Sequence, residues 1–421
     1  MHTHDAREVE QRRSKLSRRG FLTATTLAAA GAALPAAARK PPPEGSRPVQ
    51  AYVASYSSPQ GPEGWKGNGK GIYLFDVDPA SGTLHQRAVC ANDSNPSWIA
   101  LNAAGTCLYS ANETTTYQGA NSGSVSAYSI EPSDGHLTLI NTVSSEGAGP
   151  CHLSMHPAGK HVLVANYAGG TVAVLPLGAN GALQPASDVK RGEGPVGPAC
   201  AASAPRGSFA TSGHDRPHAH MIQADPAGRF VLAADLGRDR IFVWKLDLQR
   251  GRLVENDPPS VALPGGDGPR HFAFHPSGKW LYSLQEEAST VAVFQYDPER
   301  GRLTAKQTLS TLPPGFAGTN FTSEIVVTPD GKFVYVANRL HDSIAWFSIA
   351  ETGLLAWRGE EWTRGDYPRS FTIDPSGGFL FSCNQRSDAI AAFRRDRNTG
   401  ALTFTGEYTP VGTPAMLVFR A

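Results

Sequence analysis

Cysteine is scarce in this chain of 421 residues: five, at Cys90, Cys107, Cys151, Cys200 and Cys383. The number is odd, the spacing is irregular, and no C-x-x-C pair occurs. That pattern excludes a cysteine-built zinc module and a dithiol redox motif. Cys107 and Cys383 lie inside apolar phrases and read as small buried hydrophobes. Net charge is also lacking: 38 Lys and Arg stand against 37 Asp and Glu, a formal +1. No basic stripe interleaves with aromatics, so no nucleic-acid partner is expected. No internal stretch is long and apolar enough to span a membrane. The histidines lack a set of Asp and His partners at ligand spacing, so neither a metal nor another cofactor is expected. Glycine and proline, by contrast, are plentiful at 44 and 32. That mix suits many short strands joined by turns.

A phrase recurs: Pro-x-Gly, a basic residue, an apolar strand, then Asn, Asp or Gln. Its copies open at Asn102-Ala-Ala-Gly105, His156-Pro-Ala-Gly159, Asp225-Pro-Ala-Gly228, His275-Pro-Ser-Gly278, Thr328-Pro-Asp-Gly331 and Asp374-Pro-Ser-Gly377. The glycines are separated by 54, 69, 50, 53 and 46 residues. A period near fifty with strand-like content marks a β-propeller. A second phrase, Gly-x-Leu, begins at Gly82, Gly135, Gly181, Gly251, Gly301, Gly353 and Gly400. It counts seven repeats. Length alone suggests two or three domains, but a repeat ring exceeds that prior.

The expected fold is therefore all-β: a seven-bladed propeller of four-stranded antiparallel blades. The first blade lacks a Pro-x-Gly copy, and its strand is supplied at Gln50-Ala-Tyr-Val-Ala-Ser55. The last segment, Thr413-Pro-Ala-Met-Leu-Val-Phe419, is expected to pair there and close the ring. Closure removes exposed strand edges.

The N-terminus reads as an address rather than as fold. Ser17-Arg-Arg-Gly-Phe-Leu22 follows basic Arg12, Arg13 and Lys15, and a mildly apolar, Ala-rich stretch leads to Ala36-Ala-Ala38. This is a twin-arginine-type signal, residues 1–38. Residues 39–48, with Pro41-Pro-Pro43, form a stiff linker, and 49–421 form the propeller. The export machinery is then a partner, and the mature protein is periplasmic or secreted, off the membrane, and a monomer.

Three loops, 57–70, 190–213 and 313–321, are expected to crowd one face and frame a pocket at the channel mouth. Residues flanking the repeat strands point toward the axis. Before the strands come Pro217-His-Ala-His220, Pro269-Arg-His271, Ser323-Glu324 and Pro368-Arg369. After them come Asn112-Glu113, Asn166-Tyr167, Gln285-Glu286, Asn338-Arg339 and Asn384-Gln385. Most of the Asn and Asp members read as ties between blades. His220, Arg270 and Glu286 read as functional, because buried charge without function is uncommon. Arginine offers a planar fork for an anionic oxygen, and His or Glu takes a proton from water.

With these phrases together, the chain resembles the lactonase family of seven-bladed propellers, which includes propeller-type 6-phosphogluconolactonase and carboxy-muconate lactonizing enzyme. The resemblance rests on Pro217-His-Ala-His220 with Asp235-Leu-Gly-Arg-Asp-Arg240, Gly268-Pro-Arg-His271 with His275-Pro276, Ser323-Glu-Ile325, and Asn338-Arg-Leu-His-Asp-Ser343. It implies a lactonase acting on a small lactone, with His220, Arg270, Glu286 and Arg339 as catalytic residues. His218, His271, Glu324, Asn338 and Arg369, which flank the repeat strands beside them, are expected to bind substrate. Two departures stand out: Gln285 replaces the usual Asn before the Glu, and the 190–213 loop is enlarged. The export segment separates this chain from cytoplasmic sugar-phosphate metabolism and suggests an unphosphorylated lactone. A binding scaffold and a muconate-type cycloisomerase remain open alternatives at this point.

Overall fold

The computed structural model describes residues 49–59, 66–211 and 213–420, all within the compact unit Arg47–Ala421. The expected export signal, residues 1–38, and the expected linker, residues 39–48, lie outside the described residues. The described residues form 28 strands, β1 to β28 in chain order, and one 3-10 turn at Gln385–Ser387. They assemble into seven four-stranded antiparallel sheets, as the two phrases predict. Among the described residues, no helix is long and apolar enough to cross a membrane.

Each blade begins at the axis. The innermost strands are β4 (Pro96–Leu101), β8 (Pro150–Met155), β12 (Ala219–Ala224), β16 (Pro269–Phe274), β20 (Thr322–Val327), β24 (Pro368–Ile373) and β28 (Pro414–Arg420). The second strands are β5 (Cys107–Asn112), β9 (His161–Asn166), β13 (Phe230–Asp235), β17 (Trp280–Gln285), β21 (Phe333–Asn338), β25 (Phe379–Asn384) and β1 (Gln50–Ser55). The Pro-x-Gly turn joins the first to the second. Gly159 and Gly278 sit there at φ 69° and 67°, a region that other residues resist.

Second strands such as His161–Asn166 are buried at every position, while a fourth strand such as β19 (Arg302–Ser310) is largely exposed. The core accordingly lies in the seams between blades. In one seam Ala51, Val53 and Phe75 of the first blade pack on Phe379, Phe381 and Ile390 of the last. The Gly-x-Leu hairpins fit the same seams. The hydroxyls of Tyr52, Tyr282 and Tyr335 donate to the carbonyls of Gly135, Gly353 and Gly400 in the next blade. A Cβ on Gly353 would fall 2.1 Å from the Trp280 ring, so only glycine admits this approach.

The two ends of the described chain close the ring. β28 pairs antiparallel with β1, from Gln50 opposite Arg420 to Ala54 opposite Met416. The C-terminal strand thus supplies the innermost strand of the first blade, and β1 is paired on both sides, by β28 and by β2 (Gly71–Val77). Cys107 and Cys383 are buried in β5 and β25, as read from the sequence.

Candidate active site

Two positions in every blade aim side chains at one end of the channel. The first is a bulge. Each innermost strand slips register by one residue or more just after it starts. The extra residues are Ser97, Cys151, His220, Arg270, Ser323 with Glu324, Arg369 and Ala415. A bulge leaves a residue unpaired and re-aims its side chain. The second position is the residue after each second strand: Tyr56, Glu113, Tyr167, Leu236, Glu286, Arg339 and Gln385. Its backbone N–H donates to a carbonyl just before the innermost strand of the same blade, at 2.7–3.0 Å, as from Glu286 to Gly268 and from Arg339 to Phe321. In antiparallel neighbours these two positions share one end of the blade.

Seven of these residues line a cavity of about 650 Å³. His220, Arg270 and Arg369 reach it from the bulges, and Glu113, Tyr167, Glu286 and Arg339 from the second position. Thr114, Thr115, Thr116, Tyr367 and Arg386 complete its rim. Glu286 is the knot of the floor. Its Oε2 accepts from Arg270 Nη1 at 2.5 Å and lies 2.8 Å from Arg339 Nη2. Arg270 Nε also donates to the Ser323 carbonyl at 3.0 Å, and Arg339 Nη1 to the Tyr367 hydroxyl at 3.1 Å. On the facing wall, Arg369 Nη2 stands 3.5 Å from Glu113 Oε2, which accepts from Tyr56 Oη at 2.8 Å.

The sequence matches the family described as Lactonase, 7-bladed beta-propeller over residues 50–419. The chain belongs to this lactonase family. Among its relatives is a 6-phosphogluconolactonase of Bacillus subtilis (strain 168), 36% identical over 371 residues, covering 87% of this chain and 97% of the relative. A 6-phosphogluconolactonase of Formosa agariphila is 30% identical, covering 79% and 91%. The solved structure of a Pseudomonas aeruginosa periplasmic gluconolactonase superposes with TM-score 0.78 at 30% identity, covering 89% of this chain and 99% of that one.

The electrostatics of this lactonase-family cavity are lopsided. Four guanidinium groups, Arg270, Arg339, Arg369 and Arg386, face two carboxylates, Glu113 and Glu286. Burial alone would raise the Glu286 carboxyl, but Arg339 and Arg270 outweigh it and hold the group down to about 2. Glu286 is therefore ionised and a weak base. His220 is buried beside Arg270, His271 and Arg369, and burial and these charges push it well below 6.5. It is neutral at physiological pH, and its Nδ1 has no hydrogen-bond partner among the described residues. Burial and the Glu286 and Glu287 charges keep the Tyr167 phenol protonated.

The nine residues singled out from the sequence fall into two groups. His220, Arg270, Glu286, Arg339 and Arg369 share the cavity. The other four do not line it, which departs from an expectation of direct substrate contact. His218 lies behind Tyr167, stacked at 4.2 Å, its ring nitrogens 2.9 Å from the Tyr167 carbonyl and 2.7 Å from Asp215 Oδ1. Asn338 is fully buried. It donates to the Thr311 carbonyl at 2.8 Å and Ser343 Oγ at 3.2 Å, and accepts from Thr311 Oγ1 and Asn320 Nδ2. His271 and Glu324 are buried against each other, with Nδ1 to Oε1 at 3.2 Å. Glu113, Tyr167 and Tyr56 were not singled out, although they occupy the same repeat position as Glu286 and Arg339.

The loop expectation needs a similar correction. Residues 60–65 and 212 of these loops lie outside the described residues; among the described ones, only Phe321 lines the cavity. The 190–213 loop instead runs along 313–319. The Gly318 N–H donates to the Arg206 carbonyl at 2.9 Å and the Phe209 N–H to Thr319 Oγ1 at 3.0 Å. Ser203 Oγ donates to Asp267 Oδ1 at 2.6 Å. Backbone hydrogen bonds between two loops satisfy both and draw them away from the mouth.

Proposed function

We propose that this protein is an exported lactonase that opens a sugar lactone by adding water to its carbonyl. The observation that carries this reading is the convergence of His220, Arg270, Glu286 and Arg339 on one cavity. The relatives named for gluconolactone and its 6-phosphate support the substrate class. The export reading of residues 1–38 and the periplasmic relative support the location. The excess of guanidinium groups fits a lactone carrying an acidic substituent, a carboxylate as well as a phosphate.

In this mechanism Arg270 and Arg339 hold the lactone carbonyl oxygen and stabilise the oxyanion as water attacks. Neutral His220 takes one proton from that water. The imidazolium it becomes stands among arginines and is a strong acid, so it returns the proton to the ring oxygen as the C–O bond breaks. The product is the open hydroxy acid. Glu286, ionised and already bonded to both guanidiniums, orients them rather than acting as the base.

The test is a pH-stat screen of the purified protein on gluconolactone, its 6-phosphate and a carboxylate-bearing sugar lactone. Hydrolysis of at least one above the spontaneous rate is expected. No acceleration of any of the three would overturn the reading. Tyr367 offers a finer check. It holds φ 63°, a costly conformation for a bulky residue, while its hydroxyl accepts from Arg339. Tyr367→Phe keeps the ring stacked on Arg339 and Arg386 but removes that acceptor. A loss of about fivefold to tenfold in kcat/KM is expected, the size of one hydrogen bond. An unchanged value would remove the hydroxyl from the machinery.

A further inference from the structure

Beneath the cavity the channel is closed by aromatic and imidazole rings. His271, on β16, sits at its hub. It meets His220 of β12 with ring centroids 5.1 Å apart at 65°, Trp98 of β4 at 5.1 Å and 87°, and His152 of β8 at 5.5 Å and 73°. Glu324 of β20 supplies the fifth member, its Oε1 3.2 Å from His271 Nδ1. Four of the other six innermost strands thus converge on one imidazole that is 2% exposed. Its Nε2 has no hydrogen-bond partner among the described residues, and neither has His220 Nδ1.

Buried polar groups of this kind are rarely placed without use. A histidine that moves protons needs a partner fixing its ring, and that partner is commonly a carboxyl group reached directly or through another ring. Packing already limits how His220 turns, because Tyr167 stands on another side of it at 5.4 Å and 71°. The His271 charge state also acts on His220 directly through space.

We propose that His271 and Glu324 are positioning residues for His220: the pair plugs the channel from below and sets the orientation and proton affinity of that imidazole. This rests on the lactonase reading only in giving His220 a proton to move. Neither residue touches a substrate in the cavity, which accounts for two residues that the sequence pointed to and the cavity wall does not use.

The pair has its own titration. Burial pushes the Glu324 carboxyl up to about 8, against the Ile325 amide and the Arg270 charge, which pull it down. The groups facing it are His271 and Arg270 of β16 and, electrostatically, Cys383 of β25, whose thiol burial pushes up to about 12. Below about 8 the carboxyl is neutral. Above it, a carboxylate accepts from His271 Nδ1–H, fixes that tautomer, and makes both imidazoles more basic.

The experiment compares the wild-type protein with Glu324→Gln, which stays neutral at every pH. Two readouts are taken from pH 6 to 9.5. One is kcat and KM for the best lactone of the screen, with spontaneous hydrolysis subtracted. The other is the nitrogen-15 NMR signals of the imidazoles, assigned with His220→Asn and His271→Asn. In the wild type, kcat should rise across about pH 8 and both imidazole signals should move with it. In Glu324→Gln the inflection should vanish, kcat above about pH 8 should fall about tenfold below the wild type's, and KM should stay within about twofold, because no ground-state contact is lost. Matching pH profiles and matching imidazole titrations in the two proteins would overturn the proposal. If the wild type hydrolyses none of the lactones, the function fails, and the NMR titration alone still decides whether Glu324 governs the histidine pair.

Discussion

Replacing Arg270 by alanine should lower kcat/KM on the preferred lactone by about 10²- to 10³-fold, the usual loss when one oxyanion donor is removed from a dry site. The change should fall on kcat, because the guanidinium is needed most where the carbonyl oxygen gains charge. The fold should survive. Glu286 keeps Arg339 at 2.8 Å, so no buried carboxylate is stranded. A second signature separates this from loose packing. Arg270 is the largest charge holding His220 down, after burial itself. Its loss should let His220 titrate nearer the ordinary range, readable by the same imidazole NMR. Arg270→Lys should recover little. An ammonium cannot span the Ser323 carbonyl and Glu286 as a planar fork does. Full lactonase activity in Arg270→Ala would remove this residue from the site and leave the oxyanion without its main support.

The fold was legible because its repeat is written in residues that only one geometry tolerates. Gly278 must adopt positive φ at the turn between first and second strands, and Gly353 must admit Trp280 of the preceding blade. Such constraints survive in sequence as a recurring phrase, even where the interval between copies varies. The site was legible in part for the same reason. Arg270 and Arg369 both follow a proline that opens an innermost strand, and Glu286 and Arg339 both follow the polar residue ending a second strand. What the sequence does not carry is which of seven equivalent positions meet across the ring. Glu113 and Tyr167 share the position of Glu286, yet only the closed toroid brings them onto the same cavity.

Asn338 illustrates the limit from the other side. A polar residue at a strand end beside an arginine reads equally as ligand or as tie. Its four hydrogen bonds to Thr311, Asn320 and Ser343 make it a tie. His271 and Glu324 sit only one residue beyond Arg270 and Ser323. At the β16 bulge, that single step separates Arg270, which lines the cavity, from His271, which does not. The length of the enlarged 190–213 loop says nothing about which neighbour satisfies its backbone, and that neighbour is the 313–319 loop.

Glu286→Leu should be the most destabilising change at the site. It strands Arg270 and Arg339, which are 4% and 1% exposed, without their shared carboxylate. Removing one partner of a buried ion pair costs about 3–5 kcal/mol. The depressed carboxyl points the same way. Held at about 2 rather than near 4.5, the Glu286 carboxylate contributes about 3 kcal/mol. The sign follows from the direction of the shift. A depressed carboxyl stabilises the fold above its unfolded pKa, and that contribution drains away as pH falls from about 4.5 toward 2. Wild type and Glu286→Leu should therefore differ in urea midpoint at pH 7 and approach each other as the solution is acidified toward pH 2. A constant gap across that range would show that Leu fails through shape rather than lost charge. Adding Arg339→Met to Glu286→Leu should recover part of the pH 7 stability, because one stranded guanidinium is then replaced by an apolar chain of similar length. Activity should not return with it. The cluster that weakens the protein when broken is the one that holds the oxyanion, so stability restored without the arginine leaves a folded ring with nothing to receive the charge.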